Sequence, residues 1–269
     1  MIRQSPRIGR SLQPLATCSA LIAAGCLLAG CGLIGSSGGS TTPQAPPPQA
    51  QTPAPAARAS APVTRAQARA YTHTVALHPG DVPGMAVEAP AGETPPPNSS
   101  VVAFVRCSDG VSLDRRVLKV HSPTFTSGHG RQAETVESAV EVWPTPVLAT
   151  VNTTAYLGSR GQACFARSLE AAHRRANQQR PGGLQYGPIR VAVVANPMAG
   201  VSHSFLRTVA FPLMRGGQVR VYVYHDDFSF VSGSAEVELD ATGFSRPVPA
   251  ATEERLLLLL VGRAKAARL

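Results

Sequence analysis

The chain has 269 residues, with 24 Gly, 24 Pro and a formal charge of +9, a length that allows one or two domains. The charge is uneven: Arg3, Arg7, Arg10, Arg58, Arg65 and Arg69 all precede the first acidic residue, Asp81, leaving 19 basic against 16 acidic side chains from 81 to 269. That near balance, with no Lys/Arg block interleaved with aromatics, excludes a nucleic-acid-binding surface.

The first thirty residues have the layout of an export signal: a positive start, an apolar run over 15–29 and small residues at its end. The apolar run is short for a bilayer span, which needs roughly 20 residues. It closes on Leu28-Ala29-Gly30-Cys31, which resembles the lipobox of bacterial lipoproteins. The resemblance implies that residues 1–30 are a lipoprotein signal peptide, and that the Cys31 thiol receives diacylglycerol and becomes the new N-terminus. Ala29 and Gly30 are small enough for a peptidase to close on the backbone. Two or three acyl chains make such an anchor durable, each buried methylene contributing about 0.8 kcal/mol. The implied location is the cell membrane, lipid-anchored on its extracytoplasmic face, with the membrane itself as partner through the acyl chains.

Residues 31–70 then form the acylated Cys and a Pro/Ala-rich tether. Positions 32–69 hold seven prolines and neither an acidic nor an aromatic residue. Such a stretch buries too little apolar area to offset its ordering entropy, and its prolines favour extended polyproline-like segments.

Residues 71–269 read as a single domain. The composition of 88–100 predicts a surface loop. Strands are expected over 116–125 and 135–143, the second alternating Val136, Ser138, Val140 and Val142 with glutamates, which fits a sheet with one face on a core and one in water. Helical spacing covers 146–176, with Gly158 and Gly161 as possible breaks. Strands follow at 189–195 and 203–214, a tight turn at Arg215-Gly216-Gly217, then strands at 218–225 and 228–243 with a kink or turn at Gly233. A final helix over 251–267 has Thr252 as its expected N-cap and Glu253 and Glu254 in its first turn. Its apolar run Leu256–Val261 implies burial. The expected fold is α+β: an antiparallel sheet with helices packed on one face and the C-terminal helix buried against it.

Cys18 and Cys26 leave with the signal, and Cys31 is the lipidation site. Cys107 and Cys164 remain, and in an oxidising compartment a disulfide between them is the default, with two buried thiols as the alternative. His225, Asp226 and Asp227 are the candidate metal or base cluster; a polar turn at a strand end accounts for them equally. Trp143, Tyr222 and Tyr224 could line a pocket or pack a sheet. GxSxG, HExxH and phosphate-cradling glycine loops are missing from the sequence, so no catalytic residue, cofactor or metal is expected.

The run "LHPGDVPGM" (77–85), "VRCSDG" (104–109), "ESAVEVW", a helix carrying Cys164 and "EERLLLLLVGRA" together resemble actinobacterial PsbP-like lipoprotein domains and the extracellular sensor domains of actinobacterial receptor kinases. Those sensors carry two disulfides where this chain can form one, and no functional residue transfers. The expected function is non-enzymatic binding of a small apolar or lipid-like ligand. The alternative is a protein-interaction or envelope-structural module displayed on a tether.

Overall fold

The structure is a computed structural model and describes residues 61–94, 99–179, 182–196 and 198–269. The expected signal peptide, the expected lipidation site Cys31 and the expected tether as far as residue 60 lie outside the described residues.

The folded part begins earlier than the expected boundary at 70/71. Helix α1 spans Arg65–Val75, started by a capping box in which Thr64 accepts from the Gln67 N–H and the Gln67 side chain bonds the Thr64 N–H. Its buried residues Ala68, Tyr71, Thr72 and Val75 fall at i, i+3, i+4 and i+7, one apolar face of a helix.

One antiparallel sheet of ten strands runs through the described residues: β1 Ala86–Ala89, β2 Gly92–Glu93, β3 Leu118–His121, β4 Thr124–Ser127, β5 Glu134–Val142, β6 Gln185–Tyr186, β7 Arg190–Ala195, β8 Ser202–Arg215, β9 Gln218–Ser232 and β10 Ala235–Phe244. Its order is β1-β4-β5-β10-β9-β8-β6, with β3 also on β5, β2 on β3 and β7 on β8. The strands expected at 218–225 and 228–243 are instead a long β9 and β10, joined at Gly233-Ser234. The β8–β9 turn uses Gly216 and Gly217 at φ +57° and +73°, the paired left-handed conformation that matches strand twist and that glycine adopts freely. The loop expected over 88–100 contains the end of β1, the whole of the short exposed β2 and the start of α2, Ser99–Ser108.

The predicted helix over 146–176 is two helices, α3 Pro146–Leu157 and α4 Ser159–Gln179, parted at Gly158. A Cβ on Gly161 would lie 2.0 Å from the Ala155 carbonyl oxygen, so only glycine lets the two helices meet so closely. Helix α5, Ala250–Ala267, starts at Pro249 without a side-chain cap bond, and Thr252 sits inside its first turn. The apolar run is one-sided: Leu256, Leu257, Leu260 and Val261 are buried, while Leu258 is exposed.

The main core lies between the sheet and α1 with α5. It joins Val136, Val140, Phe228, Phe230, Val237 and Leu239 to Tyr71, Val75, Leu256 and Leu260. Two polar devices fix this layer. The buried Ser138 hydroxyl accepts from the Leu77 N–H at 2.9 Å, and the Ser138 N–H donates to Ser122 Oγ at 2.9 Å. Arg263 of α5 grips Asp81 with both nitrogens, at 2.7 and 2.8 Å, and also donates to the Ala76 carbonyl. The sheet's other face, expected in water, is covered by α2, α3 and α4. A smaller core of Val111, Trp143, Ala149 and Val231 lies at one end of that side.

Cys107 of α2 and Cys164 of α4 are disulfide-bonded, with Cα atoms 5.8 Å apart, within the ordinary range for an unstrained bridge. Ser138→Ala would strand the Leu77 N–H and is expected to cost about 1–3 kcal/mol. Leu260→Ala would cost about 2–5 kcal/mol. Both are read as lower denaturant midpoints at unchanged slope. Reducing the bridge is expected to lower stability by about 4 kcal/mol or less, measured as a shift of the unfolding midpoint with and without a thiol reductant.

Candidate functional site

Strand β10 alternates. Ala235, Val237, Leu239 and Ala241 enter the main core, so Glu236, Glu238 and Asp240 must point to the opposite face. In register there, Glu236 stands across from Glu141 of β5, and Asp240 stands between Glu137 of β5 and Asp227 of β9. The result is a floor of acidic side chains under α2–α4. Carboxylates enclosed in this way are costly unless paired and hydrogen-bonded.

The partners come from neighbouring strands and from the helices above. Lys119 of β3 lies 2.7 Å from Glu238 and 3.5 Å from Glu141, which also meets Arg116 at 3.2 Å. Arg207 of β8 pairs with Asp227, and its guanidinium lies 4.0 Å over the Phe165 ring of α4, a cation–π contact. Glu236, 1% exposed, accepts from Asn152 Nδ2 of α3 at 2.9 Å and from Ser229 Oγ at 3.0 Å. His225 is engaged at both ring nitrogens, 2.9 Å from Thr242 Oγ1 and 3.4 Å from Asp240.

This network sets the protonation states. Burial first, then the charges of Glu238 and Glu141, push the Glu236 carboxyl up to about 8, so it is largely protonated at neutral pH. Burial alone would lower Lys119, but Glu238 and Glu141 outweigh it and hold the ammonium well above its usual range. Burial likewise would lower His225, and its bond to Asp240 raises it instead. Desolvation raises Asp227 despite Arg207.

Between floor and helices lies a cavity of about 350 Å³, at the small end of the range for ligand pockets. Its roof is Phe104 of α2, Tyr156 of α3 and Phe165 and Leu169 of α4; its floor includes Lys119, Arg207, Asp227, Glu236, Glu238 and Asp240. Phe104 stacks on Tyr156 at 5.3 Å and meets Phe165 edge-on at 6.1 Å.

The predicted cluster His225-Asp226-Asp227 is split by strand alternation. His225 and Asp227 belong to the acidic floor, whereas Asp226 faces α5 beside Glu253, whose carboxyl is pushed up to about 7 by burial and by Asp226. Among the described residues no group of three His, Cys, Asp or Glu side chains is placed to hold a metal ion. Trp143 is fully buried in the smaller core, and Tyr222 and Tyr224 line a groove on the α1/α5 side of the sheet, with Pro188, Pro212 and Met214. The Glu/Lys/Arg floor escaped the sequence reading. The "EVELD" alternation of β10 was visible, but only the apolar spacing of α4 hinted that its acidic side is covered.

No protein-family model and no curated protein matches the chain. Among solved structures, the chain is similar to the extracellular domain of PknH from Mycobacterium tuberculosis, at 10% identity and a TM-score of 0.40, over 76% of this chain and 98% of that one.

The raised carboxyls carry a sign. Native Glu236 keeps its proton up to pH about 8, while the unfolded chain releases it near 4.5. Native Glu253 keeps its own up to about 7. Their contributions to stability are therefore fully present below about pH 4.5 and are lost as pH rises through these native values. Glu236→Gln is expected to remove the part of this loss that extends to pH about 8, measured as denaturant midpoints from pH 4 to 9 (about one unit steps).

Proposed function

We propose that this chain is a lipid-anchored extracytoplasmic lipoprotein whose α+β domain binds a small amphipathic ligand without transforming it. The observation that carries the reading is the 350 Å³ cavity, roofed by aromatic and aliphatic side chains and floored by ionisable ones. An apolar roof fits the lipid-like ligand expected from sequence; the floor adds a polar head to it. Two features support binding rather than catalysis. Both nitrogens of His225 are already engaged, and Glu236 is occupied by Asn152 and Ser229. The anchor rests on the lipobox at Cys31, and no helix among the described residues is long and apolar enough to cross a membrane.

One observation favours the interaction-module reading instead. Val219 and Tyr222 at the tip of β9 are 47% and 46% exposed and belong to the shallow groove with Pro212 and Met214, an apolar surface of the kind that partners cover.

Native mass spectrometry of the exported protein, purified gently from membranes, separates the two. A defined extra mass that extracts into organic solvent is expected. A bare mass would move the function to the β9 groove and a protein partner. Cys31→Ser is expected to abolish acylation and shift the protein from the membrane to the soluble fraction, scored by fractionation and intact mass.

A further inference from the structure

Asp227, Glu238 and Asp240 line the cavity beside the largely protonated Glu236, with Arg207 on Asp227, Lys119 on Glu238 and His225 on Asp240. Asp227 and Asp240 stand directly across from each other in the β9–β10 register, where like charges are destabilising. Asp227 is 3% exposed, and its Oδ1 is buried with no hydrogen-bond partner among the described residues, although its other oxygen meets Arg207. Unmet buried acceptors are costly, and a donor from a ligand would relieve that cost. The side chains of Glu238 and Asp240 remain 21% and 24% exposed, open enough to reach an entering group. Arg207 Nε, also without a partner among the described residues, leaves one donor near the carboxylates.

We propose that the polar end of this cavity receives an ammonium group between Asp227, Glu238 and Asp240, carried on a small apolar body that packs under Phe104, Tyr156 and Phe165. The ligand class is an amphiphilic amine, and a hydroxyl or amide oxygen near its nitrogen would satisfy Arg207 Nε. An ammonium donor would meet the unpartnered Asp227 Oδ1, and the aromatic faces of the roof favour a cation further. An anionic head would stand among carboxylates that already repel one another. The assignment rests on the amphipathic-pocket reading above and narrows it to one head-group chemistry.

The test titrates the purified protein calorimetrically with octylamine, octanol and octanoate, three probes of one chain length. Octylamine is expected to bind about tenfold or more tighter than octanol, with octanoate weakest. Asp227→Asn leaves buried Arg207 without its partner and is a poor probe if it fails to fold. Glu238→Gln and Asp240→Asn serve instead, since Lys119 keeps Glu141 and His225 keeps Thr242. In both, the preference for octylamine over octanol is expected to collapse while circular dichroism stays unchanged. If octanol or octanoate binds as tightly as octylamine, or the preference survives in both variants, the ammonium assignment is wrong and the amphipathic pocket stands. If none of the three binds the folded protein, both readings fall.

Discussion

A row of carboxylates on β10 is enclosed between a sheet and three helices, and much of this domain is arranged to make that enclosure tolerable. The cost of taking charges from water is recovered only with close partners and further hydrogen bonds. Lys119 reaches in from β3, Arg207 from β8, Arg116 from the segment before β3 and Asn152 from α3. These residues lie on separate elements, so the floor forms only when strand order and register are complete. The pairs therefore define register as much as they stabilise. A one-residue slip of β10 would bring Glu236, Glu238 and Asp240 to the apolar side, against α1 and α5, and away from Lys119, Arg207 and Asn152.

That opposite side supplies the driving force. Phe228, Phe230, Val237, Leu239, Leu256, Leu260 and the α1 stripe form an ordinary apolar layer. It is locked by a serine hydroxyl and by one bidentate Arg263–Asp81 pair, whose carboxyl burial would raise but the Arg263 and His78 contacts hold below its usual range. The molecule thus has two layers of different chemistry on a shared sheet. One is dry and supports the fold. The other is polar, paired and partly hollow, and carries the proposed site.

The dry layer was legible in the sequence and the polar one was not. The alternation of β5, the tight glycine turn before β9 and the burial of α5 follow from local spacing, and the Cys107–Cys164 bridge from being the one cysteine pair left beyond Cys31. The errors on the polar layer share one cause. Glutamates alternating with valines look like a solvated face, because sequence spacing reports which side chains lie together but not what lies above them. The same limit misread Leu258 as buried and grouped Asp226 with His225 and Asp227, although neighbours on a strand point to opposite layers. The α1 boundary was recoverable: Thr64 and Gln67 are the capping pair, and the Pro-rich composition around them concealed it.

The disulfide joins α2 to α4, and these two helices supply three of the four roof residues, Phe104, Phe165 and Leu169. The bridge therefore turns two helices into one plate. The plate meets α3 across Gly158, so the roof is held at one side by the bridge and at the other by the chain itself. Reduction would free α2 from α4 and so loosen the roof, while the floor beneath is held by strand register and does not depend on the bridge.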